Sequence, residues 1–118
     1  MNTLDLFRNA REFESYPAGQ VIFSAGETGS MMYVVKDGEL EIIVNGKVVE
    51  TVGSGGIVGE LALIDTQPRS ATVVAKTDCQ LVPINEKRFT FLVQQTPYFS
   101  LHVMRVLANR LRKMDAQA

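Results

Sequence analysis

Two residues in the stretch Gly59-Glu60-Leu61-Ala62-Leu63-Ile64-Asp65-Thr66-Gln67-Pro68-Arg69-Ser70-Ala71-Thr72-Val73 could do chemistry, Glu60 and Arg69. Pro68 fixes the backbone just ahead of Arg69, whose planar guanidinium can grip a phosphate through two parallel hydrogen bonds. Glu60 opens a short apolar run with room for a turn or two of helix before Asp65 to Pro68 break it. N–H groups at a helix start point outward and attract anions. A carboxylate beside a phosphate would repel it, so Glu60 makes sense only if a cation holds it and a hydroxyl donates to it. Phosphate and sugar hydroxyl in one small pocket are the chemistry of a nucleotide. The plainer readings are a surface arginine and a helix-start acid stabilised by the macrodipole by at most about 1 kcal/mol.

The surrounding chain must hold these groups in place. Residues 4–13 set Leu4, Phe7, Ala10 and Phe13 near one helical face, which predicts a short N-terminal helix. Tyr16-Pro17-Ala18-Gly19 makes a turn. Residues 20–84 then break into short runs of Val, Ile, Phe and Tyr separated by glycines, the pattern of an antiparallel β-barrel or jelly roll. Asn45-Gly46, between runs at 39–44 and 47–52, marks a type I′ hairpin. Gly53-Ser54-Gly55-Gly56 loosens the backbone before Glu60, and strands resume at 71–75 and 80–84. Asn85 caps a helix over 86–94, and Thr96-Pro97 begins a longer final helix. At about 100° per residue, apolar side chains from Phe99 to Met114 cover over half of that helix, which predicts two apolar contacts, one against the barrel and one against another helix or subunit. Arg110 falls inside this arc, between Phe99 and Val103 in projection.

Residues 58–73 resemble the phosphate-binding cassette of the cyclic nucleotide-binding domain family, found in the bacterial catabolite activator protein, the regulatory subunits of cAMP-dependent protein kinase and cyclic-nucleotide-gated channels. The family pattern runs Phe/Ile/Val-Gly-Glu-Leu/Ile-Ala/Gly-Leu and, after a variable stretch, Pro/Glu-Arg-Ser/Thr/Ala-Ala-Thr/Trp-Val. Ser24-Ala25-Gly26-Glu27 and Val35-Lys36-Asp37-Gly38 fall where the family places two earlier turn glycines. The resemblance implies that Arg69 binds the cyclic phosphate with help from Ser70, and that Glu60 binds the ribose 2′-hydroxyl. Gly59, Leu61, Ala62 and Ala71 would then bring backbone close to the ligand. It also implies that Ile42 and Val49 flank the purine, although both would serve equally as core. Arg110 matches an arginine that reaches the Glu60 equivalent and the ligand in relatives of the catabolite activator, and a snorkelling arginine is the competing reading. Ser70, where a threonine often accompanies cGMP, leans to cAMP, with cGMP as the second ligand. Met114 and Asp115 stand where the activator class contacts adenine, and Gly56 stands where many members carry an acid, a change expected to loosen the approach to the cassette.

One domain over 1–118 is expected, with a barrel over about 16–84 and helices over about 85–115: a mainly β fold with a short N-terminal helix, a short cassette helix and two C-terminal helices. The 118 residues are 46% hydrophobic, enough for one core without disulfides. A net charge of −1 and a pI of about 5.8 argue against a nucleic-acid partner. The one cysteine, Cys79, reads as a small buried hydrophobe. No run approaches the roughly 20 apolar residues of a membrane span and no secretory signal opens the chain, so a cytoplasmic location is expected. The single histidine, His102, projects to the polar side of the last helix, which leaves neither a His-rich metal site nor a catalytic triad, and no cofactor is expected. Because the sequence ends at Ala118, no helix-turn-helix is expected in it. A non-enzymatic cyclic nucleotide sensor signalling to an effector protein through its last helix is the leading expectation. In it, ligand favours the state in which Arg110 meets Glu60 or the phosphate, and the same helix is a candidate homodimer contact. The alternative is a ligand-independent interaction domain.

Overall fold

A computed structural model describes residues 3–117, with side chains described over residues 5–114. Leu4 and Asp115, assigned above to a packing face and to the base, lie outside those side chains. The elements are α1 (Thr3–Phe7), β1 (Glu14–Tyr16), β2 (Val21–Phe23), β3 (Met32–Asp37), β4 (Leu40–Val44), β5 (Lys47–Val52), β6 (Ile57–Val58), α2 (Leu61–Ile64), β7 (Thr72–Ala75), β8 (Cys79–Ile84), α3 (Glu86–Gln95) and α4 (Tyr98–Gln117).

The strands form two antiparallel four-stranded sheets, β1-β8-β3-β6 and β2-β7-β4-β5, so the barrel-or-jelly-roll expectation resolves as a jelly-roll-like pair of sheets and not a closed barrel. Phe23, Leu40, Val52, Val73 and Ala75 from the second sheet meet Val35, Val58, Cys79 and Leu81 from the first in a shared core. The first sheet is buried on its other face as well, where Met32, Val34, Ile57, Val82 and Ile84 pack against Phe7, Phe99 and Val103 of the helices. Burial on both faces explains why the segments 32–35 of β3 and 81–84 of β8 are apolar without alternation.

Local chemistry sets the joints. Asn45 and Gly46 both have positive φ (51° and 77°), as a type I′ turn demands, and Val44 pairs with Lys47 across it. Further along β5 the register shifts: Ile42 pairs with Glu50 but Ile43 with Val48, which leaves Val49 as an extra residue in a bulge. The 53–56 stretch is a bonded turn, not a loose one. Gly55 N donates to Val35 O (2.8 Å), Gly56 N to Gly53 O (2.9 Å) and Val35 N to Gly56 O (2.9 Å). A Cβ on Gly56 would run into Val52, so the missing acid reflects packing. Asn85 caps α3 by accepting from Arg88 N at 2.8 Å, and Cys79 is buried as expected.

Two expectations need correction. The N-terminal helix ends at Phe7, because that ring docks edge-on against Phe99 at 6.0 Å and Ala10 N closes a turn onto Phe7 O. The Ala10 carbonyl is taken by Lys36 Nζ (3.1 Å), which also lies 4.1 Å over Phe13, so Phe13 lies outside any helix. His102 is half-buried and not on the polar side. It sits at the edge of the docked stripe of α4, its Nε2 is buried without a partner, and burial followed by the charge of Arg105 pushes its pKa below 6.5.

Candidate functional site

A cavity of about 480 Å³ opens between β4, β5 and β7, the 58–62 and 67–71 segments, and the far half of α4. It brings together Ile42, Val49, Gly59, Glu60, Leu61, Ala62, Arg69, Ser70, Ala71 and Arg110. Met114 also lines it. Phe23, Glu50 and Lys113 line it without having been foreseen.

Arg69 is held at one end. Its guanidinium lies 4.0 Å over the Phe23 ring, Nη2 donates to Met31 O (2.8 Å) and Nη1 to Gly59 O (3.3 Å). Phe23 is backed by Tyr33, ring stacked on ring at 6.4 Å. The backbone of Arg69 is stitched to the β2–β3 connection, with its N–H on Glu27 O and its carbonyl accepting from Gly26 N, both at 2.8 Å. Burial lowers the Arg69 pKa, opposed by Tyr33, Glu27 and Glu60. Gly59 turns the chain here with φ +75°, and a Cβ on it would sit 2.7 Å from Arg69 Nη1. The start of α2 is less open than expected: Ala62 N donates back to Gly59 O (3.2 Å) and Leu63 N to Glu60 O (3.1 Å).

At the other end, Glu60 is 4% exposed and is the one buried charged residue among the described residues. Arg110 Nη1 donates to Glu60 Oε1 at 2.6 Å, and Arg110 Nη2 donates to Ile57 O at 2.8 Å. Glu50 takes the rest of the fork, Oε1 at 3.0 Å from Nε and Oε2 at 3.1 Å from Nη2. Burial alone would pull the Arg110 pKa down, but the hydrogen bonds and charges of Glu50 and Glu60 outweigh it and hold the pKa above its ordinary value. The projection that set Arg110 between Phe99 and Val103 describes the docked line of α4 correctly.

Glu50 escaped the sequence reading because strict alternation turns it away from the face that Val49 occupies. The bulge at Val49 brings both to the cavity. A carboxylate inside the apolar run from Val48 to Val52 was the available signal. Lys113 lies one turn beyond Arg110 on α4, and Phe23 carried no signal beyond its place on a short strand.

A family model described as the cyclic nucleotide-binding domain matches residues 13–96. The chain belongs to the cyclic nucleotide-binding domain family. A cAMP-dependent protein kinase regulatory subunit of Schizosaccharomyces pombe is 42% identical over 79 residues, 66% of this chain and 19% of that protein. A cGMP-dependent protein kinase of Drosophila melanogaster is 36% identical over 81 residues, 69% of this chain and 7% of that protein. This domain therefore spans a fifth or less of the curated relatives it matches. Among solved structures, the catabolite activator protein of Thermus thermophilus matches 98% of this chain and 56% of its own with a TM-score of 0.80 at 28% identity. PKAR CBD2 bound to Sp-2Cl-cAMPS matches 89% of this chain and 70% of its own with a TM-score of 0.76 at 30% identity. Among the described residues, no helix is long and apolar enough to cross a membrane.

Proposed function

We propose that this domain is a receptor for a cyclic nucleoside monophosphate, cAMP ahead of cGMP, and that it reports occupancy to an effector protein through α4. The observation that carries the reading is the opposition, within one cavity, of Arg69 at one end and the Glu60–Arg110 pair at the other. Arg69 offers its unbonded N–H groups to the cyclic phosphate, assisted by Ser70 and by backbone at Gly59, Leu61, Ala62 and Ala71. Glu60, held by Arg110, accepts from the ribose 2′-hydroxyl. Ile42 and Val49 flank the base, and Met114 closes over it. Three lining cations, Arg69, Arg110 and Lys113, face two carboxylates, Glu50 and Glu60. The single positive excess suits a monoanion, and the cavity volume lies within the range of small-ligand sites. Binding without catalysis is the activity proposed.

Calorimetric titration with cAMP, cGMP and non-cyclic AMP tests this. Both cyclic nucleotides should bind, cAMP more tightly, and AMP, with its second negative charge and no phosphodiester ring, much more weakly. Absence of binding for all three overturns the reading. One observation favours a second role: Leu101, Met104, Leu111 and Met114 are exposed along α4, which suits a homodimer contact or an interaction domain independent of ligand. Association that survives in an Arg69→Ala variant unable to bind nucleotide would favour that second role.

A further inference from the structure

Glu50 has no part in the ligand contacts assigned above, yet both of its carboxylate oxygens are committed to Arg110. Arg110 carries five N–H donors. Glu50 takes two, Glu60 one and the Ile57 carbonyl one, so four of the five are met by protein groups. The position on α4 matters as much as the bonds. Phe99 and Val103 bury the first half of the helix, but beyond Leu107 every described side chain except Arg110 is exposed. The Glu50 and Arg110 side chains are 22% and 20% accessible, and two parallel bonds give their pair a geometry that a single surface contact lacks.

We propose that Glu50 is a positioning residue: by forking onto Arg110 it latches the second half of α4 to β5 independently of ligand, and through Arg110 it fixes Glu60 at the ribose end of the cavity. The latch stands on the geometry alone, whereas its effect on ribose rests on the function proposed above. Glu60 and Glu50 share one guanidinium, so loosening either carboxylate frees the arginine to follow the other.

The test uses the whole chain without nucleotide and the isosteric variant Glu50→Gln. Exchange of the Arg110 Nε–H with water, followed by NMR, should accelerate about tenfold or more. Backbone amide exchange over 108–114 should accelerate with it, and adding Arg110→Ala should give no further acceleration beyond that of Arg110→Ala alone. Unchanged exchange in Glu50→Gln, or effects of the two substitutions that simply add, would overturn the latch. The second readout is the ratio of affinities for cAMP and 2′-deoxy-cAMP, which should fall in Glu50→Gln if Glu60 is set through Arg110. A loss of cGMP affinity alone, with exchange over 108–114 unchanged, would mean that Glu50 reads the base, and the latch would be wrong. If exchange responds as expected but the unsubstituted protein binds no cyclic nucleotide, the latch stands and the proposed function falls.

Discussion

Arg69 occupies a niche that exists because two neighbours lack side chains. A Cβ on Gly29 would collide with its guanidinium, and one on Gly59 would crowd Nη1. Arg69→Ala is expected to weaken cAMP binding by about 1.5–3 kcal/mol, and Arg69→Lys to recover only part, since the fork is lost. Gly29→Ala should reproduce part of the loss in titration while leaving the arginine in the sequence. Affinity unaltered in Arg69→Ala would remove the phosphate role. For Glu60→Gln, the cycle against 2′-deoxy-cAMP should show coupling between the carboxylate and the hydroxyl, and zero coupling would mean that Glu60 serves Arg110 only. Glu60 and Arg69 were legible because their neighbours in sequence define their setting. Glu50 and Phe23 were not, because their roles depend on a one-residue register shift and on a ring reached from a distant strand.

Helix α4 has two halves with different attachments. Its first half is packed into the helix core through Phe99, which meets Phe7 and Phe89 edge-on, and through Val103. Its second half reaches the sheets through Arg110. Ligand can shift this helix only by its differential affinity for two arrangements. Saturating cAMP should therefore slow amide exchange over 108–114 and leave 99–106 nearly unchanged. Uniform slowing, or none, would show that the second half is not the responsive part. Elements set by local chemistry were legible: the Asn45-Gly46 hairpin, the Asn85 cap and the cassette turn. The first helix was read too long because apolar spacing at Ala10 and Phe13 persists after the backbone has left the helix to meet Lys36. One side of the wide apolar arc of α4 docks through Phe99 and Val103 while Leu101, Met104 and Leu111 stay exposed, and spacing could not assign His102 to the docked edge.

At the scale of the molecule, charge and surface give two expectations. His102 has a depressed folded pKa, so its neutral form contributes stability that is present above the unfolded value of 6.5 and is lost as pH falls through the folded value. Thermal midpoints taken at about pH 7.5 and about pH 5.5 should therefore differ more in the unsubstituted protein than in His102→Phe, which keeps an aromatic ring without a titrating group. Equal differences would mean that the buried Nε2 is relieved by water. The exposed residues Met104 and Leu111 are expected to mediate self-association, so Met104→Glu combined with Leu111→Glu should lower the sedimentation coefficient without lowering the unfolding midpoint. Finally, the first sheet is a partition one backbone thick between two chambers. Ile57 belongs to the helix chamber, its carbonyl receives Arg110, and the next residue, Val58, lines the cavity. A methyl group removed on the helix side of that wall is therefore expected to be felt on the cavity side, so that substitutions which can never touch the proposed ligand should still change its affinity.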